Sequence, residues 1–94
     1  MESFQLLTDF YEVIAEDARI SATHISLYMA LLQAWNKGLS KSPFFIQRDT
    51  MMKVAKISRK TYNKRMKELQ QYGYIIYEPS SNPLLKSQVY FNKL

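Results

Sequence analysis

Over the first eighteen residues, apolar side chains recur at Phe4, Leu7, Tyr11, Ile14 and Ala18, in steps of 3, 4, 3 and 4. That period predicts an amphipathic helix over residues 3–18, its apolar face widened by Phe10 and Val13, with Ser3 as a candidate cap. The pattern breaks at Arg19-Ile20-Ser21-Ala22, where Ser21 or Thr23 is placed to cap the next helix. Residues 23–37 are apolar around most of the circumference, and only Ser26, Gln33 and Lys37 outline a polar strip. Such a helix is buried on more than one side, so it is expected at the centre of the core. Gly38 is expected to end it as a C′ residue.

After a loop from Leu39 to Pro43, Phe44-Phe45-Ile46 is too short for a helix and reads as a brief strand. Two helices then follow closely. The first spans Arg48 to Ala55 and offers Met51, Met52, Val54 and Ala55 to the core. Ile57 lies in the turn, and Ser58 caps a second helix from Arg59 to Tyr72. On that helix Tyr62, Met66 and Leu69, at spacings of 4 and 3, form the buried stripe, and Gly73 stops it. Tyr74 to Glu78 and Ser87 to Asn92 read as two strands of a hairpin. A turn-rich stretch joins them, Pro79 to Pro83 followed by Leu84-Leu85-Lys86.

Charge sharpens this outline once it is divided along the chain. The 94 residues carry 13 Lys+Arg against 8 Asp+Glu, a net charge of +5. Residues 1–20 hold Glu2, Asp9, Glu12, Glu16 and Asp17 against Arg19, a balance of −4. Residues 21–94 hold the other twelve bases against Asp49, Glu68 and Glu78, a balance of +9. From Lys53 to Lys67 there are seven bases and no acid. Like charges repel, so stability gives no reason to gather them, whereas a polyanion makes the cluster favourable through counterion release. On the helix from Arg59, Lys60, Asn63, Lys64 and Lys67 fall opposite the buried stripe. Arg59 stands at the first turn, and Arg65 at the stripe's edge is set to pair with Glu68 at i+3. Arginine suits guanine and asparagine adenine, while lysines suit phosphates.

Composition excludes several classes. One domain is expected at this length. The absence of cysteine removes disulfides, thiol nucleophiles and cysteine metal sites. With His24 the single histidine, neither a His-rich metal site nor a two-histidine mechanism is expected, and His24 is assigned a structural or surface place. The longest strongly apolar run, Leu27 to Leu32, is far short of a membrane span of roughly 20 residues. The start Met1-Glu2-Ser3-Phe4 lacks the features of a signal peptide. A cytoplasmic protein that is not an enzyme, with no cofactor and no metal, is expected.

The element order matches the winged helix-turn-helix plan, in which the capped helix enters the DNA major groove. Ile57-Ser58-Arg59-Lys60-Thr61-Tyr62, followed by Leu69, Gly73 and Ile75, resembles the signature vS-R-x-T-V … L-x-x-x-G-x-I of bacterial winged helix-turn-helix DNA-binding proteins, the small regulators of transcription. The resemblance covers residues 23–92. It implies a mainly α fold with a small β-hairpin and a winged helix-turn-helix domain over residues 21–94, while the acidic amphipathic helix over residues 1–20 is an extra element with no counterpart in the motif. It also implies sequence-specific binding of double-stranded DNA through residues 58–72. Ser58, Arg59, Lys60, Asn63, Lys64 and Lys67 are the implied contacts, with Lys86 in the wing.

Two departures stand out. Lys56 holds the turn position usually occupied by glycine, so the turn takes another conformation or holds a strained one. The wing carries only Lys86 among its charges and includes Leu84 and Leu85, which suit a protein contact as well as DNA. The alternative function is therefore a winged-helix interaction module in a replication or conjugation assembly. The face Phe4, Leu7, Tyr11 and Ile14 either packs on the central helix or forms the seam of a homodimer.

Overall fold

Four helices and three strands follow in the order α1 (Glu2–Ile14), α2 (Ala22–Lys37), β1 (Phe44–Ile46), α3 (Arg48–Ala55), α4 (Arg59–Gln71), β2 (Ile75–Glu78) and β3 (Ser87–Phe91). This computed structural model describes residues 2–80 and 86–94, with side chains from Phe4 onward. Leu84 and Leu85, the apolar residues of the hairpin turn, lie outside the described residues. The protein is mainly helical with one small antiparallel sheet. Among the described residues, no helix is long and apolar enough to cross a membrane.

The nearly all-apolar α2 is central, as its pattern predicts. It buries His24, Leu27, Tyr28, Ala30, Leu31, Leu32 and Trp35, and packs against α3, α4 and β1. Ser21 is its N-cap residue. Its C-terminus differs from expectation: Gly38 is not left-handed, and Leu39 and Ser40 take the positive φ values of 64° and 56° instead. The Ser40 N–H then reaches back to the Trp35 carbonyl at 3.0 Å, so the chain is turned by the two residues after the glycine.

Helix α1 is shorter than its apolar spacing suggests. After Ile14 the ladder tightens to i−3 bonds from the Glu16 and Asp17 N–H groups. Asp17 then leaves the helical path, because its carboxylate accepts from Arg19 and, across the fold, from the Tyr74 hydroxyl at 2.7 Å. Phe10 is the residue of α1 that becomes fully buried, stacked on Tyr28 at 3.8 Å between ring centroids and edge-on to Tyr74 at 5.6 Å. Leu6, Leu7 and Ile14 pack on the core's rim, while Phe4 and Tyr11 stay 66% and 47% exposed. Half of the expected apolar face is thus covered by the chain itself.

The sheet has the order β1-β3-β2, antiparallel throughout. The predicted hairpin pairs Tyr77 with Val89, and β1 joins the free side of β3, pairing Phe44 with the same Val89. Val89 is therefore fully buried at the sheet centre. Phe91 on β3 contacts Phe44, Tyr28 and Trp35 at ring-centroid distances of 5.0, 5.0 and 6.1 Å. This aromatic cluster locks the sheet onto α2, each ring pair contributing about 0.5–1.5 kcal/mol beyond its buried area.

Candidate nucleic-acid interface

Helices α3 and α4 are joined by Lys56, Ile57 and Ser58. Lys56 ends α3 in the left-handed conformation, φ 61° and ψ 43°, so the turn keeps the geometry usually given to glycine and holds it with a lysine. Two contacts steady it: the Ile57 N–H bonds the Met52 carbonyl at 3.2 Å, and the Ser26 hydroxyl of α2 donates to the Ala55 carbonyl. Ile57 packs against the core.

Ser58 caps α4 as its sequence position predicts. Its hydroxyl oxygen accepts from the Thr61 N–H at 3.2 Å, which commits this side chain to the helix end. The N–H groups of Arg59 and Lys60 have no protein partner among the described residues, so the helix begins with free donors and the positive end of its dipole. At the other end Gly73, at φ 86°, closes a Schellman turn: Gly73 N–H to Gln70 O at 3.1 Å and Tyr74 N–H to Leu69 O at 2.9 Å.

Between these ends α4 has two unlike sides. Tyr62, Met66 and Leu69 are buried, with no more than 1% exposure. Arg59, Lys60, Asn63, Lys64 and Lys67 are all exposed. Among the described residues, none of these four cations makes an ion pair. Lys86 is also exposed, but no residue of α4 lines the groove that it borders. Six of the seven expected site residues therefore share one helix and its cap, and Lys86 stands apart.

Arg65 and Glu68, on the flank of α4, are built into a polar network. Arg65 donates to Glu68 Oε1 at 2.6 Å and to the Thr23 hydroxyl at 2.8 Å. His24, 1% exposed, meets the same Glu68 oxygen through Nε2 at 2.9 Å. Because the Ser21 N–H donates to His24 Nδ1 at 2.9 Å, Nδ1 is an acceptor and the proton of the neutral ring sits on Nε2. Histidine here fills the place that glutamate or glutamine takes in a capping box. Burial lowers the His24 pKa from its usual 6.5, outweighing the Glu68 bond that favours the charged ring. The Arg65 hydrogen bond holds the Glu68 carboxyl below its ordinary range.

Next to this network Arg19 clamps Asp17 with two 2.8 Å bonds and lies over the Tyr72 ring, 4.1 Å from its centroid. The Arg19 bond drives the Asp17 pKa well down, and burial beside Asp17 pushes the Tyr74 hydroxyl up to about 12. The Arg65–Glu68 pair at i+3 has a local sequence signal, whereas the long-range pairings His24–Glu68, Arg65–Thr23 and Tyr74–Asp17 have none. Among the described residues no group of three or more His, Cys, Asp or Glu is arranged to hold a metal ion. No family model, curated protein or solved structure matches the chain.

Proposed function

We propose that the protein is a winged helix-turn-helix DNA-binding protein that places α4 in the major groove of double-stranded DNA, as a small regulator of transcription. The observation that carries this reading is the bare face of α4: four exposed cations without carboxylate partners among the described residues, opposite a fully buried stripe. A helix of 13 residues is about 20 Å long and fits a groove about 12 Å wide. Arg59 and Asn63 are the base readers in this reading. Lys60, Lys64 and Lys67 hold phosphates, joined by the free N–H groups at the helix start. Ser58 acts through the cap.

Selection from a random duplex library, followed by salt titration of the selected site, tests it. Three neutralised phosphates give a log–log slope near −2.7, a loss of roughly 40-fold in affinity from ~50 to ~200 mM salt. Binding that is flat over that range rules the reading out.

The exposed rings of Phe4 and Tyr11 favour a second copy of the chain as a further partner. The apolar residues of α1 occupy about half its circumference, and its own core covers only the part centred on Phe10. An α1–α1 seam pairs two recognition helices on a two-fold site. Sedimentation of the wild type against Phe4→Ser/Tyr11→Ser tests this. Truncation before Arg19 does not, because it removes Phe10 from the core. A monomeric wild type on its selected DNA excludes the seam.

A further inference from the structure

A groove of about 540 Å³ lies between the C-terminal end of α2, β1 and α3, and no residue of α4 lines it. Lys37 and Lys41, at and just after the end of α2, meet Lys86 from just before β3 there, and among the described residues its lining holds no acid. Phe45 is part of the lining and remains 55% exposed, although β-strand phenylalanines ordinarily find cover. Gln47 and Thr50, both exposed, add hydrogen-bonding groups to the lining.

Three candidate occupants differ in what they need. A small anionic ligand calls for a site that buries most of its surface, and a ring half open to solvent does not provide one. An acidic peptide adding a strand to the sheet edge needs a long free edge, and β1 has three residues. Duplex DNA satisfies the lysines but keeps its bases stacked inside the helix, so it leaves Phe45 unused. Unpaired nucleotides use every feature: phosphates for the lysines, a base face for the ring, and base edges for Gln47 and Thr50.

We infer that this groove is a second nucleic-acid site, which takes unpaired nucleotides of a single strand by stacking a base on Phe45 while Lys37, Lys41 and Lys86 hold phosphates. The site is independent of the duplex face on α4. A chain carrying both is suited to DNA in which a duplex adjoins an unpaired segment.

Fluorescence anisotropy with the full chain and a labelled thymidine 12-mer tests the site, beside a blunt hairpin duplex. Phe45→Ala is expected to weaken 12-mer binding roughly tenfold, the order of one lost base–aromatic stack, and to leave hairpin binding unchanged. Phe45→Trp adds an exposed indole beside the buried Trp35, and its fluorescence is expected to be quenched by the 12-mer. Lys37→Glu/Lys41→Glu is expected to weaken the 12-mer more than the hairpin. Equal unfolding midpoints for wild type and Phe45→Ala establish that the fold is intact.

No binding of the 12-mer overturns the proposal. So does binding that ignores both Phe45 substitutions, which assigns the groove to backbone contact alone. Binding of a glutamate-rich peptide at the groove lysines, with the 12-mer excluded, also overturns it. Loss of hairpin binding with the 12-mer response intact defeats the duplex reading and leaves this one standing.

Discussion

Lys64 and Arg65 are consecutive residues of one helix, and their surroundings could hardly differ more. Arg65 is drawn into contact with Glu68 and Thr23, within a network that reaches His24 on α2. Lys64 projects into solvent and, among the described residues, makes no ion pair. The first cation is spent on holding α4 against α2. The second is exposed, and among the described residues neither it nor Arg59, Lys60 or Lys67 makes an ion pair. Under the proposed reading, the paired Arg65 on one flank and the unpaired cations on the opposite face separate the demands of stability from those of DNA binding.

Charge reversal on the bare face tests that division most severely. Lys60→Glu/Lys64→Glu removes two phosphate contacts and adds repulsion, which amounts to roughly 100-fold in duplex affinity near 0.1 M salt. Its unfolding midpoint is expected to stay within about 0.5 kcal/mol of wild type, since two fewer like charges offset any lost packing. Anisotropy and urea titration of the same preparation read both effects. A variant that unfolds shows that these lysines serve the fold.

The converse is expected one residue along. Arg65→Ala removes the charged donor from Glu68, which keeps its His24 bond, and from Thr23, in a partly buried place, and is expected to cost about 2 kcal/mol. Lys64→Ala is expected to cost less than about 0.5 kcal/mol. Urea midpoints compare the pair directly, and equal losses erase the distinction between the two flanks.

Much of this arrangement is legible locally. The stripe Tyr62, Met66 and Leu69, the Ser58 cap, the Gly73 stop and the Arg65–Glu68 pair each rest on residues no more than about two helical turns apart. What the sequence hides depends on distant residues. His24 and Glu68 are 44 positions apart, and Tyr74 and Asp17 are 57 apart. The second of these pairs lies just past the early end of α1. Phe10 ranks as a flanking residue in the apolar period, yet it is the buried one, because Tyr28 and Tyr74 offer it flat and edge contacts. The convergence of Lys37, Lys41 and Lys86 depends on β1 pairing with β3, which no local pattern specifies.

Acid separates the two flanks as well. His24 faces Glu68 and Arg65 of α4 and the Tyr72 ring, with Asp17 farther off, and its folded pKa lies below 6.5. The unfolded chain therefore takes up the proton first. Stability from this group is fully present above pH 6.5 and declines as the pH falls toward the folded value. Asp17 and Glu68, also depressed, add a second decline below the ordinary carboxylate range. Urea midpoints between pH 7 and pH 5 are expected to fall in the wild type and flatten in His24→Gln, which restores a common capping-box residue that does not titrate. A wild-type midpoint that holds steady over that range removes His24 from the network's energetics.

The smallest effect concerns the ends of α3 and α4, which use the same left-handed turn with different residues. Gly73 takes φ 86° without steric penalty, and a Cβ built there meets nothing within 4 Å, so Gly73→Ala isolates the backbone cost, about 1 kcal/mol. Lys56 bears a comparable cost at φ 61°. Lys56→Gly is therefore expected to raise stability by roughly 0.5–1 kcal/mol and, as Lys56 stands beside the bare face, to weaken duplex binding several-fold. The two readouts moving in opposite directions mark a strained residue kept for its charge. A gain in stability with unchanged affinity confines Lys56 to the turn and draws the boundary of the interface at Ser58.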